Sequence, residues 1–306
     1  MNTHRVAPAV RALCVAAILL AAATAGAQDP FSVYFIGNSL SDNINYTGLD
    51  DLATLAGHDH VWGRHMIPGA PLAWIWDHPE DGFSQSPYGL YPNALPNYEW
   101  SALSLQPFDR QLNDDLGHAS NFIDLALTNP ANADMDVYVY GHWPRQSQDG
   151  WYDTHWRKDY TGGWDGTFET ADYYEDLTTA LRAAYPNLDV WIVPVGEVMY
   201  ELNQKLKGGE VPGYTHIADL FADGIHLNDK GEYISGLTYY ATMYGEDPHG
   251  LPSTPYGWED PALRDAIQDC VWDVVTAQEE WTGVPEPASL SLLALGGLAV
   301  LRRRRG

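Results

Sequence analysis

Apolar positions fall into short β-rich runs, separated by stretches with helical spacing. The run Phe31–Ile36 reads as a strand leading directly into Gly37. Residues 42–57 keep a helical pattern that Gly57 ends, and His60–Ile67 predicts a second strand closed by Pro68-Gly69. Further strands are predicted at 100–106, 136–141 and 189–195, with helices at about 118–129 and 170–184, the latter stopping before Pro186. Strands alternating with helices predict right-handed βαβ units and a parallel sheet within one α/β domain. In such a sheet, ligands bind where loops leave the C-terminal strand ends. The segments 78–98 and 145–169 are expected to be long loops, and the aromatic content of both favours a functional role.

Two apolar stretches do not fit this alternation, and both lie at the termini. Arg5 and Arg11 precede a run from Ala12 to Ala23, and Ala25-Gly26-Ala27 follows. This is the layout of a secretory signal peptide cleaved after Ala27. At the other end, Val284-Pro285-Glu286-Pro287 precedes an apolar stretch, Ala288–Leu301, and then Arg302–Arg305. Fourteen residues span ~21 Å as a helix, short for a hydrocarbon core of ~30 Å. The tail resembles the PEP-CTERM sorting signal of Gram-negative bacteria. The resemblance implies an exosortase as partner, transient membrane association before processing, and a final place in the periplasm, at the cell surface or in the extracellular matrix. The expected organisation is therefore a signal peptide over 1–27, one domain over 28–283 and a sorting tail over 284–306.

Composition sharpens that division. The 306 residues carry 16 Lys+Arg against 41 Asp+Glu, a formal −25. Without Arg5, Arg11, Arg302–Arg305 and Glu286, the central domain has 10 basic and 40 acidic residues, a formal −30. A nucleic-acid binder needs an electropositive face, so that class is excluded, and the domain should repel polyanions. Cys14 leaves with the signal peptide, and the remaining Cys270 has no intrachain partner. The eleven histidines show no paired ligand spacing, so neither a metal nor another cofactor is expected. His58 and His60 read as surface histidines; Asp109, Asp114 and Asp115 read as solvated acids rather than paired glycosidase carboxylates.

Two short segments carry chemistry. Gly37-Asn38-Ser39-Leu40 follows the first strand, and its glycine permits a sharp turn that exposes the serine at the sheet edge. Near the end stands Phe221-Ala222-Asp223-Gly224-Ile225-His226. Asp and His three residues apart on a turn can bond through carboxylate and imidazole Nδ1, leaving Nε2 as a general base. A serine hydroxyl needs such a base, because at neutral pH it is almost wholly protonated.

Together these segments resemble the SGNH (GDSL-type) hydrolases, in the subgroup with Gly-Asn-Ser. The resemblance runs over most of 31–245. It implies a flavodoxin-like three-layer α/β/α fold with a central parallel sheet. It also implies Ser39 as nucleophile, His226 as base, Asp223 as its orienting partner, and acyl transfer through an ester on Ser39. The family's oxyanion hole takes the serine N–H, a glycine after the second strand and an asparagine after the third. Gly69 fits the glycine. No Gly-x-Asn-Asp segment follows a strand here; Gln106 is the preferred replacement and His142 the alternative.

The expected function is an exported serine esterase acting on acyl esters, with acetyl groups on a carbohydrate as the leading substrate. Trp143, Trp151, Trp156 and Trp164 cluster in or beside one loop, where solvent-facing rings would suit pyranose faces; the alternative, favoured for any single ring, is that they pack in the core or pin the loop. The alternatives are a polysaccharide O-acyltransferase on the same scaffold and a non-catalytic glycan-binding surface protein.

Overall fold

The computed structural model describes residues 30–147, 150–162 and 169–286. The expected signal peptide, Trp164 and nearly all of the sorting tail lie outside the described residues.

Six strands form one sheet: β1 (Phe31–Gly37), β2 (His60–Met66), β3 (Phe83–Ser84), β4 (Ala102–Leu105), β5 (Asp136–Tyr140) and β6 (Val190–Val193). Their order is β3-β2-β1-β4-β5-β6. β1 is buried almost throughout because parallel neighbours flank it and helices cover both its faces, as its unbroken apolar run requires. All pairings are parallel except β2–β3. Without β3, the spatial order is that of the flavodoxin-like doubly wound sheet, whose switch point lies at β1.

The helices are α1 (Ser39–Asp42), α2 (Tyr46–Ala56), α3 (Leu72–Asp77), α4 (Tyr91–Asn97), α5 (Leu112–Ala126), α6 (Trp151–Thr154), α7 (Ala171–Ala184), α8 (Val195–Lys207), α9 (Asp229–Tyr244), α10 (Pro261–Ala277) and α11 (Glu279–Thr282). α2, α8, α9 and α10 pack together in one layer, and α3, α4, α5 and α7 in another, giving three layers. α9 is buried on nearly all sides between its neighbours, which explains why its sequence lacks a polar stripe.

Two expectations need correction. The segment 78–98 is not a plain loop, because it contains β3 and α4. Gly82 makes this possible: a Cβ there would stand 2.4 Å from the Met66 carbonyl oxygen, so only glycine lets the returning chain close on β2. The helix expected at 118–129 runs instead from Leu112 to Ala126. Its N-cap, Gln111, makes no side-chain capping bond, so the start carries no Ser, Thr, Asp or Asn signal.

Candidate active site

The C-terminal edge of the sheet gathers the loops after β1, β2, β4 and β5. Gly37 ends β1, and a Cβ at this position would fall 2.5 Å from Gln106 Oε1 and 2.9 Å from Ser41 Cβ. The glycine is therefore needed for close approach; its φ is not positive, so the turn itself does not demand it. Asn38 is buried and caps α1, its Oδ1 accepting the Leu40 N–H at 3.0 Å. Ser39 opens α1, half-buried, with its hydroxyl at the sheet edge.

The second segment folds on itself. An isolated antiparallel bridge joins Phe221 and Leu227, and the Ala222 N–H donates to the His226 carbonyl at 2.8 Å. Asp223 Oδ1 accepts the N–H groups of Ile225 and His226, both at 2.8 Å. Asp223 Oδ2 lies 2.8 Å from His226 Nδ1, and His226 Nε2 lies 2.9 Å from Ser39 Oγ. The two backbone N–H bonds, followed by the imidazole contact, hold the Asp223 carboxyl down at about 2. With Asp223 ionised, Nδ1 carries the ring proton and Nε2 is free to accept the serine proton. The structure thus joins two segments 187 positions apart into one hydrogen-bonded chain.

Neighbouring loops hold this turn. Trp143 Nε1 donates to the Ile225 carbonyl at 2.7 Å, and Gln146 donates through its backbone N–H to Gly224 O at 2.9 Å. Gln146 Nε2 also reaches Asp223 O at 3.2 Å, and the Leu227 N–H donates to Asn43 Oδ1 at 3.2 Å. The sequence singles out Trp143 only as a candidate sugar-facing ring and Gln146 not at all, because a backbone carbonyl acceptor leaves no mark on its donor.

The expected oxyanion donors fare differently from one another. Among the described residues, neither the Ser39 N–H nor the Gly69 N–H makes a hydrogen bond. Gly69 has φ +68°, and nothing stands within 4 Å of where its Cβ would be. The loops of Ser39 and Gly69 are tied together by Asn38 Nδ2, which donates to Ala70 O at 3.1 Å. Gln106 is buried, and its Oε1 accepts the Asn38 N–H at 2.9 Å while its Nε2 donates to Asn38 Oδ1 at 3.0 Å. The backbone donors fix both amide orientations, so one Nε2 hydrogen of Gln106 is spent and the other has no acceptor among the described residues. His142 does not serve as a donor to this edge. It is fully buried, with Nδ1 2.9 Å from Trp143 O and Nε2 3.1 Å from Pro107 O, and burial lowers its pKa.

The described tryptophans of this loop follow the packing alternative rather than the pyranose-facing one. Trp143 and Trp156 are buried and Trp151 is partly covered, because their indole N–H groups bond inward. Trp156 Nε1 donates to Glu197 Oε2 at 2.7 Å and Trp151 Nε1 to Pro144 O at 2.9 Å. These rings pin the loop after β5 rather than face solvent. His60 is not a surface residue either: it is buried against the Tyr244 hydroxyl at 2.7 Å, and burial lowers its pKa to about 4. Asp115 is likewise buried, bonded to the Tyr173 hydroxyl at 2.5 Å, with its pKa raised to about 8 by burial. Asp109 and Asp114 pair with Arg145 and Arg110. No group of three or more His, Cys, Asp or Glu side chains among the described residues could hold a metal ion.

Comparison with known proteins bears on two parts of the chain. Residues 283–305 match the PEP-CTERM protein-sorting motif, so the chain carries an export-sorting signal of Gram-negative bacteria that is handled by an exosortase. A DUF4886 family protein from Bacteroides uniformis has a similar crystal structure, with a TM-score of 0.56 and 18% identity, over 81% of this chain and 95% of that one. A candidate SGNH hydrolase from Slackia heliotrinireducens aligns with a TM-score of 0.41 and 18% identity, over 70% of this chain and all of that one. No curated protein matches the chain. The likeness to the first neighbour is one of overall fold.

Proposed function

We propose that the chain is an exported serine esterase in which Ser39 is the nucleophile, His226 the general base and Asp223 its orienting partner. The observation that carries this reading is the continuous contact from Asp223 Oδ2 through both His226 nitrogens to Ser39 Oγ. Ser39 Oγ attacks the ester carbonyl carbon as its proton passes to His226 Nε2. Negative charge then develops on the carbonyl oxygen, facing the N–H groups of Ser39 and Gly69 and the unspent Nε2 hydrogen of Gln106. The tetrahedral species collapses, His226 returns the proton to the departing alcohol, and an acyl group is left on Ser39. Water, deprotonated by His226, releases the carboxylic acid and restores the hydroxyl.

The substrate proposed is an acyl ester, above all an acetyl ester, on a carbohydrate. Export to the outside of the cell supports a polymeric or surface substrate. The formal −30 of the central domain disfavours a polyanion and supports a neutral or acetylated glycan. A fluorophosphonate probe tests the chemistry directly. The wild-type protein should be labelled and should hydrolyse 4-nitrophenyl acetate, and Ser39→Ala should lose both. An unlabelled wild type, or undiminished labelling of Ser39→Ala, would overturn the proposal.

A further inference from the structure

One open pocket is linked to the Ser39–His226 pair through α1 and Asn43. α1 begins with Ser39 and ends with Asp42, three positions later and so on the same side of the helix. Asp42 pairs with Arg64 of β2, and with Trp62, Thr47 and Glu232 of α9 they line an open pocket of about 300 Å³. Trp62 is half-buried and lies parallel to Tyr46, with ring centroids 4.9 Å apart. One face of Trp62 is therefore backed by another ring.

The lining chemistry is mixed. The carboxylates of Asp42 and Glu232 offer acceptors, and the Arg64 guanidinium and the Asn45 amide offer donors. With two acids against one base, the pocket does not suit an anion. Its polar walls do not suit a lipid tail either. A neutral polyhydroxylated ring matches on both counts, because it presents C–H groups to an aromatic face and hydroxyls to carboxylate, guanidinium and amide. The pocket is also tied to the catalytic turn. Asn43 Nδ2 donates to Glu232 Oε1 at 3.3 Å while Asn43 Oδ1 accepts the N–H of Leu227, the neighbour of His226.

We propose that this pocket is a sugar-binding subsite that takes one neutral, unesterified pyranose unit of the polymer whose acyl group meets Ser39. The proposal rests on the esterase reading and deepens it by naming a neutral polysaccharide as the substrate class. Its test is binding, measured separately from turnover. Cellohexaose, xylohexaose, mannohexaose and chitohexaose are titrated in turn onto the Ser39→Ala protein by isothermal calorimetry. At least one should bind, and both Trp62→Ala and Thr47→Trp should weaken its Kd by about tenfold or more. Thr47 is exposed, so the tryptophan there plugs the pocket without entering the core and covers the case in which Trp62→Ala fails to fold. Failure of all four oligosaccharides to bind, or binding indifferent to the plug, overturns the subsite. Fluorophosphonate labelling of wild type without oligosaccharide binding would leave the esterase standing and remove the subsite. Plug-sensitive binding without labelling would do the reverse.

Discussion

Ser39 and His226 meet at 2.9 Å from segments that are held in opposite ways. The Ser39 side is built from buried amides: Gln106 grips both the N–H and the Oδ1 of Asn38, and Asn38 in turn caps α1 and holds Ala70. The His226 side is an exposed turn. The Asp223 and His226 side chains are 56% and 38% accessible, and the turn is held by backbone bonds of its own and by Trp143 and Gln146. The contrast fits the two proposed tasks. A nucleophile and its charge-stabilising N–H groups must be preorganised, and a buried amide clamp achieves that. A base that exchanges protons with water needs solvent access but must keep one tautomer, which an ionised Asp223 enforces without burial.

The contrast can be broken from either side. The largest effect is expected at Asp223→Asn. The amide still accepts the two backbone N–H groups, but it no longer selects the Nδ1–H tautomer of His226, and kcat on 4-nitrophenyl acetate should fall by about 10³–10⁴. Gln106→Ala attacks the other side. It removes a proposed oxyanion donor, for a loss of about 10²–10³ in kcat, and also strands the buried Asn38 N–H, costing about 1–3 kcal/mol in denaturant unfolding. An effect on stability with no effect on kcat would limit Gln106 to the clamp. Trp143→Phe, which deletes the indole donor to Ile225 O and also leaves a cavity at a fully buried position, should lower kcat by about tenfold with little change in KM and lower the melting temperature as well.

The smallest effect concerns pH, where two aspartates respond in opposite directions. Asp223 is held at about 2, so it stays ionised in any mildly acidic assay, and whatever stability its ionisation supplies is lost only as pH falls from ~4 toward 2. Asp115 is raised to about 8 by burial, so the folded state holds a proton that the unfolded state releases near pH 4. Its contribution is complete below that value and disappears as pH rises through 8. Buried His60 and His65, lowered to about 4, favour folding as pH rises toward ~6.5, so the Asp115 contribution is read as a difference. Between pH 4 and 8 the melting temperature of wild type should fall relative to that of Asp115→Asn, while kcat stays unchanged. An equal slope in the variant would show that Asp115 does not retain its proton on folding.

Local patterns were legible in the sequence wherever one short segment contains its own partners. The Asp223–His226 turn closes over three residues, and the strand-to-glycine ending of β1 shows where Ser39 must emerge. The sorting tail was readable for the same reason, as a contiguous series of residue types. The sequence also determined the alternation of strands and helices, and with it the parallel sheet, because period and chain direction are local properties. Only the tertiary structure decided which histidines and tryptophans face water. His142, His60, Trp143 and Trp156 have the composition of surface or ligand-facing residues and are buried, because burial depends on which faces the layers cover. It also decided that Gln106, 68 positions from Asn38, would clamp the neighbour of Ser39. The same holds for Asp42, Trp62, Arg64 and Glu232, which share one pocket. Such contacts depend on strand order and register, and no segment of the chain carries that information alone.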